Sequence, residues 1–138
     1  MHEVGLSSQP NSDSLQDGLK LNNCYMTPAL KCVPPGDKPT AEELRNCFTY
    51  FNDEINLLTK ATCMLALGKI AFDACLRFWR SQFEIKVKDF PFKHHGVYAL
   101  PNNFHLISSY HPSPRNVNTG RLTKNMMLKL LIDLKKYS

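Results

Sequence analysis

The 138-residue chain predicts an α/β fold, a three-layer α/β/α sandwich about a central parallel sheet. Three observations carry that expectation. The stretch "ATCMLALG", residues 61–68, is a continuous apolar run of strand length, the pattern of a parallel strand covered on both faces. Amphipathic helical segments alternate with the apolar strand segments, which argues for a layered α/β architecture. Hydrophobic residues make up 43% of a chain long enough to bury a core as one domain, residues 1–138.

The elements follow in order. Residues 1–17 are polar and rich in Ser, Asn, Gln and Asp, with no apolar core of a secretion signal. "LNNCYMTPALK" reads as a strand running into an extended stretch, followed by "CVPPGDKP", a loop dense in Pro and Gly. Thr40 with Glu43 three residues on forms a capping box. Behind it Leu44, Cys47, Phe48, Phe51, Ile55 and Leu58 recur at helical spacing and define one buried face. Gly68 turns the apolar run of residues 61–68 into a second helix, "KIAFDACLRFWR". "FEIKVKDFPFKHHG" alternates only partly and suits an edge strand or irregular chain. "VYALPNNFHLISSY" predicts two short strands about a Pro-Asn-Asn turn. Thr123 caps a last helix whose inner face is Met127, Leu130, Leu131 and Leu134.

Composition narrows the function classes. The formal charge of +5 is compatible with a polyanionic partner without requiring one. No apolar stretch is long enough to span a bilayer, so the expectation is a soluble, cytoplasmic protein with no membrane partner. Five cysteines, an odd number at uneven spacing, argue against a disulfide framework. Cys63, Cys75 and Cys24 read as core thiols. Cys32 and Cys47 flank a loop and the first turns of a helix; they are either two more core thiols or two metal ligands, and a structural site needs four. The His94-His95 pair could add nitrogen donors.

Ligands of α/β folds bind beyond the carboxyl ends of the parallel strands. Two loops are expected there, one after Lys31 and one after Tyr110. The second, "SSYHPSPRNVNTGRLT", is far more polar than a connection requires. His111 directly follows a strand, and a positioned histidine is the usual donor where negative charge develops on a leaving group. Ser113, Thr119, Gly120 and Arg121 supply hydroxyls, backbone N–H groups and a cation suited to phosphate oxygens. Pro114, Arg115 and Asn116 form a polar tip able to enter a groove. The competing reading of the same composition is a solvated surface loop.

Three segments, "LKCVPPGDKPTAEELRNC", "LALGKIAFDACLR" and "SYHPSPRNVNTGRLT", resemble in order and spacing the motifs of the iron–sulfur uracil-DNA glycosylases. The likeness is to the family five branch, with its signature His-Pro-Ser-x-x-Asn-x-x-Thr-Gly-x-Leu: here His111, Pro112, Ser113, Asn116, Thr119, Gly120 and Leu122. The resemblance implies removal of uracil or related deaminated bases from DNA, with the target base flipped into a pocket. It implies that His111 donates a hydrogen bond to the uracil carbonyl as the glycosidic bond breaks. It assigns DNA contacts to Ser113, Arg115, Asn116, Thr119 and Gly120. It makes Cys32 and Cys47 two of the four ligands of a 4Fe-4S cluster that shapes a DNA-binding loop.

The chain also departs from the family's pattern. The Gly-Leu-Ala-Pro-type loop, its water-positioning Asp and the first two cluster cysteines do not occur in "MHEVGLSSQPNSDSLQDGLKL", residues 1–21, which resembles only the stretch just after them. The expectation is therefore the C-terminal portion of a glycosylase domain, lacking roughly the first third or more. It would be completed by a separately encoded N-terminal fragment, or be an inactive remnant that at most binds DNA. Such a chain would be marginally stable unless another polypeptide completed its sheet. Pro28 stands where some relatives carry an Asn that reads the uracil edge, and proline offers no such side-chain hydrogen bond. An unrelated α/β module binding a phosphorylated small molecule is the third reading, which the Cys32/Cys47 pair disfavours.

Overall fold

A computed structural model describes residues 1–31 and 40–137. The chain divides into two compact units, Pro28–His111 and a second made of Met1–Thr27 with Pro112–Ser138.

In the unit Pro28–His111, helix α1 (Ala41–Leu57) starts where expected. The Thr40 hydroxyl accepts the Glu43 N–H at 3.2 Å, and the Glu43 carboxylate accepts the Thr40 N–H at 2.7 Å. Two donors left over by the helix start are thereby satisfied reciprocally. Cys47 and Phe51 are buried, whereas Leu44 at the head of the same stripe is exposed. Strand β1 (Cys63–Leu67) leads through Gly68 into helix α2 (Lys69–Arg80). β2 (Gly96–Leu100) and β3 (Phe104–Ser109) form a hairpin about residues 101–103. Asn102 and Asn103 both sit at positive φ (59° and 56°), a conformation asparagine tolerates better than most residues.

The sheet order is β1-β3-β2, with β1 parallel and β2 antiparallel to β3. The α/β class holds, and the sheet is mixed. Its core gathers Phe51 from α1, Phe72, Cys75, Leu76, Phe78 and Trp79 from α2, and Ala66, Leu100 and Leu106 from the strands. Aromatic rings interlock there; Trp79 stacks on Phe83 at 5.3 Å and meets Phe104 at 4.9 Å.

Two strand expectations differ from the structure. Among the described residues, 24–31 form no strand, and Tyr25 and Met26 are exposed. β1 consequently lies at a sheet edge rather than in the centre. Of its five residues only Ala66 is fully buried; the others are half-buried. Residues 83–92 take the irregular option, with one turn of 3-10 helix at Val87–Asp89.

In the other unit, the chain after His111 is not wholly a loop. A short helix α3 (Pro114–Asn118) precedes helix α4 (Lys124–Leu134). The Thr123 hydroxyl caps α4 by accepting the Met126 N–H at 3.2 Å. On its inner face Leu130 and Leu131 are buried, with Met127 and Leu134 half-buried. α4 packs against the turn His2–Val4, and Lys124 pairs with Glu3 at 2.7 Å. An isolated bridge, Ser7 to Leu21, ties the polar N-terminal residues together.

Candidate active site

β3 delivers His111 two residues beyond its last ladder pair. The strand ends on two fully buried serines, Ser108 and Ser109, each polar group of which must find a partner away from water. The Ser108 hydroxyl donates to the Lys93 carbonyl at 2.6 Å, anchoring the turn before β2. The Ser109 hydroxyl donates to the Tyr110 carbonyl at 2.9 Å, and its oxygen lies 3.2 Å from His94 Nδ1. The Ser109 carbonyl accepts the Gly68 N–H at 2.8 Å, joining the ends of β1 and β3.

Gly68 lies directly against His111. It adopts φ 99°, ψ 165°, a region open essentially to glycine alone. A Cβ there would come within 3.0 Å of the His111 Cβ. The imidazole of His111 is solvent-exposed at this strand end, as a group that meets an outside substrate must be. His94 stacks on Tyr110, with ring centroids 5.3 Å apart and planes at 29°. Burial, then the neighbouring His95, hold the His94 pKa below the ordinary histidine value.

The signature residues after His111 belong to the other unit, and their local roles are legible. Ser113 is the N-cap of α3, its oxygen accepting the Asn116 N–H at 3.4 Å. A hydroxyl that accepts this bond keeps its own proton to donate. Pro114 fills the first helical position, where its missing N–H costs nothing. The Thr119 hydroxyl donates to the Arg115 carbonyl at 2.8 Å, and Gly120 ends the turn at φ 71°. The Asn116 carbonyl accepts the Leu122 N–H at 3.0 Å, and Leu122 is buried. Arg115 and Thr119 are exposed and Asn116 is half-buried. The spacing of the signature is thus first a recipe for a capped five-residue helix closed by glycine and anchored by leucine. The Ser-Pro pair was the sequence signal for that helix.

Of the expected metal ligands, Cys32 lies outside the described residues. Cys47 is buried on α1, and its sulfur accepts the backbone N–H of Lys31, the sequence neighbour of Cys32, at 3.4 Å. Among the described residues, however, no group of three His, Cys, Asp or Glu side chains could hold a metal ion. The described residues therefore do not by themselves fit a four-iron cluster, which four thiolates hold. Burial pushes the Cys75 thiol up to about 12 and also raises Cys63 and Cys24; of these three expected core thiols Cys75 is buried, while Cys63 and Cys24 are half-buried. His94 and His95 meet edge to face at 6.2 Å, and His94 turns its Nδ1 toward Ser109 rather than toward a thiol.

An open depression of about 340 Å³ beside α1, lined by Lys31, Tyr50, Asp53, Glu54 and Leu57, does not include His111. His94, Ser109 and Tyr110 are the neighbours of the candidate histidine that sequence reasoning missed. The sole signal for them was chemical: two serines closing an otherwise apolar strand, and a histidine close before the glycine that starts β2.

The model of the uracil DNA glycosylase superfamily matches residues 1–135. The type-5 uracil-DNA glycosylase of Thermus thermophilus is 43% identical over 136 residues, covering 99% of this chain and 60% of the relative. The Pyrobaculum aerophilum type-5 enzyme is 38% identical over 128 residues, covering 93% of this chain and 53% of that protein. The corresponding protein of Mycobacterium bovis is 34% identical over 137 residues, 99% of this chain and 50% of its own length. The chain thus spans half to three-fifths of the relatives it matches. No helix among the described residues is long and apolar enough to cross a membrane. A strand-end histidine packed against a glycine at strained backbone angles, the signature helix after it and a match across nearly the whole chain converge: the chain belongs to the uracil DNA glycosylase superfamily, close to its type-5 branch.

Proposed function

We propose that this chain carries the leaving-group half of a DNA-repair glycosylase that hydrolyses the N-glycosidic bond of uracil or a related deaminated base in DNA. The observation that carries the reading is His111, exposed at the end of β3 and backed by Gly68. As the bond breaks, the sugar gains cationic character and the base leaves as an anion. An imidazole N–H aimed at the base carbonyl is worth most when that charge develops, so it lowers the barrier more than it tightens binding. Extrusion of the base costs a few kcal/mol of unstacking, which contacts to the backbone must offset. Arg115, Asn116 and the hydroxyls of Ser113 and Thr119, with the Gly120 backbone, are the groups assigned to those contacts.

Activation of the attacking water is assigned to a segment the relatives carry beyond the matched region, on this polypeptide or on a separately encoded one. The edge position of β1 among the described residues supports that assignment, since an apolar parallel strand at an edge offers backbone groups to one more strand. Cys32 and Cys47 are proposed as two ligands of a 4Fe-4S cluster whose other two thiolates come from the same segment. Loaded, such a cluster would brace the chain about Cys47; no catalytic step is routed through it. The domain is then residues 1–138 plus that segment, acting on DNA in the cytoplasm.

The test is uracil release from a single-stranded uracil oligonucleotide. It is run with this chain alone and with the N-terminal two-fifths of the Thermus relative added in trans. Excision is expected in the mixture, and His111→Ala should lower its rate by at least about 100-fold while DNA affinity stays within about twofold. No release in the mixture, with DNA still bound, overturns the enzyme reading in favour of a DNA-binding remnant.

A further inference from the structure

We propose that His94 is a positioning residue for His111, acting through a part-buried relay from its Nδ1–H to the Ser109 hydroxyl and on to the Tyr110 carbonyl; the inference deepens the reading of His111 as the leaving-group donor and rests on it.

The donor order follows from counting protons. The Ser109 hydroxyl has one, and it is directed at the Tyr110 carbonyl at 2.9 Å. The bond of 3.2 Å between Ser109 Oγ and His94 Nδ1 therefore needs its proton from the imidazole, which sets the Nδ1–H tautomer. The same ring lies on the face of Tyr110 at 5.3 Å. His94 thus holds both the backbone and the side chain of the residue immediately before His111. It grips Tyr110 from the β2 side of β3, while Gly68 closes on His111 from the β1 side.

The element that presents His94 is itself fixed. Ser108 ties the Lys93 carbonyl at 2.6 Å, and His95 is held at φ 58°, a strained backbone for a histidine. Strain of this kind persists only where the surroundings over-determine it. Here they place one imidazole under the residue that aims another. A donor displaced by an ångström loses much of its effect on the transition state, so a brace at the preceding residue has a kinetic reason to exist.

The experiment uses the full chain labelled with 13C- and 15N-histidine, as wild type, His94→Ala, His94→Asn and His94→Phe. Asn keeps a donor near the Nδ1 position without the ring, and Phe keeps the ring without the donor. The first readout needs no catalysis: the ring signal of His111 and the exchange rate of the Gly68 amide, which is bonded to Ser109. In His94→Ala the His111 signal should broaden or split and the Gly68 amide exchange about tenfold faster, with the α2 amides unchanged. His94→Asn should restore both; His94→Phe should not. The second readout is uracil release in the completed mixture, where kcat should fall by about 10- to 100-fold in His94→Ala at nearly constant DNA affinity and recover in His94→Asn. Should the wild-type mixture release no uracil, the glycosylase reading fails alone and the first readout still decides. A His111 signal and a Gly68 exchange rate unchanged in folded His94→Ala overturn the brace. So does a Phe variant that restores them where Asn does not. If the Ala variant does not fold, the contrast between the Asn and Phe variants decides in its place.

Discussion

At Gly68 one residue answers two demands. The backbone must turn from β1 into α2 at φ 99°, and the neighbouring strand end brings the His111 Cβ to 3.0 Å from where any side chain would begin. Either demand selects glycine; together they couple the turn to the candidate donor. Gly68→Ala should therefore cost about 1–3 kcal/mol of stability, read as a lowered denaturant midpoint at unchanged slope. It should also cut the uracil release of the completed enzyme more than stability accounts for, because relief of the contact moves His111. A variant as active as wild type would show that His111 has room to spare. Other residues were legible from chemistry alone. Thr40 and Thr123 announced themselves as caps, since a hydroxyl before an amphipathic run has one obvious acceptor role. Leu44 fitted the helical period equally well yet is exposed, because periodicity selects a face and neighbours decide whether it is covered.

At the scale of elements, the β2–β3 hairpin shows how turn chemistry sets register. Leu100 pairs with Phe104 across three residues, and two successive asparagines take the left-handed backbone the reversal needs. Asn102→Val should lose about 1–2 kcal/mol in equilibrium unfolding, whereas Asn102→Gly should lose little or gain. Equal destabilisation by both would mean that the asparagine side chain, not its backbone tolerance, matters. The register carries a functional consequence. It places Gly96 opposite Ser108, and a Cβ on Gly96 would come within 2.7 Å of the Ser108 hydroxyl that holds Lys93. The same hairpin thus supports both the strand end and the His94 turn. Helix α3 was hidden in a stretch read as a loop, because five residues are too few to show a period. Only the Ser-Pro start and the glycine stop mark it.

At the scale of the molecule, the sheet is the decisive feature. β1 has the composition of a central parallel strand and the position of an edge strand among the described residues. Amide hydrogen exchange should resolve the two sides of β1. Amides bonded to β3 should be protected, and those on the open edge should exchange at rates typical of exposed loops. Adding the N-terminal segment of a longer relative should slow the open-edge set selectively. Uniform exchange along β1, unaffected by that segment, would remove the structural support for completion of this sheet. The chain spans 60% of the length of the Thermus relative.

The α/β class, helices α1, α2 and α4, the hairpin turn and the family signature from His111 to Leu122 could all be read from the residues in order. Each of these depends on neighbours within a few positions, whose hydrogen bonds and periodicity are written locally. That residues 24–31 form no strand, that β1 lies at an edge among the described residues and that the sheet is mixed emerged only from the folded chain. Pairing partners are set by long-range contacts that no local pattern encodes. Folding also brought Gly68 against His111 and His94 against Ser109 and Tyr110, the two residues before it. Such contacts form only once two strand ends and a turn have been laid side by side.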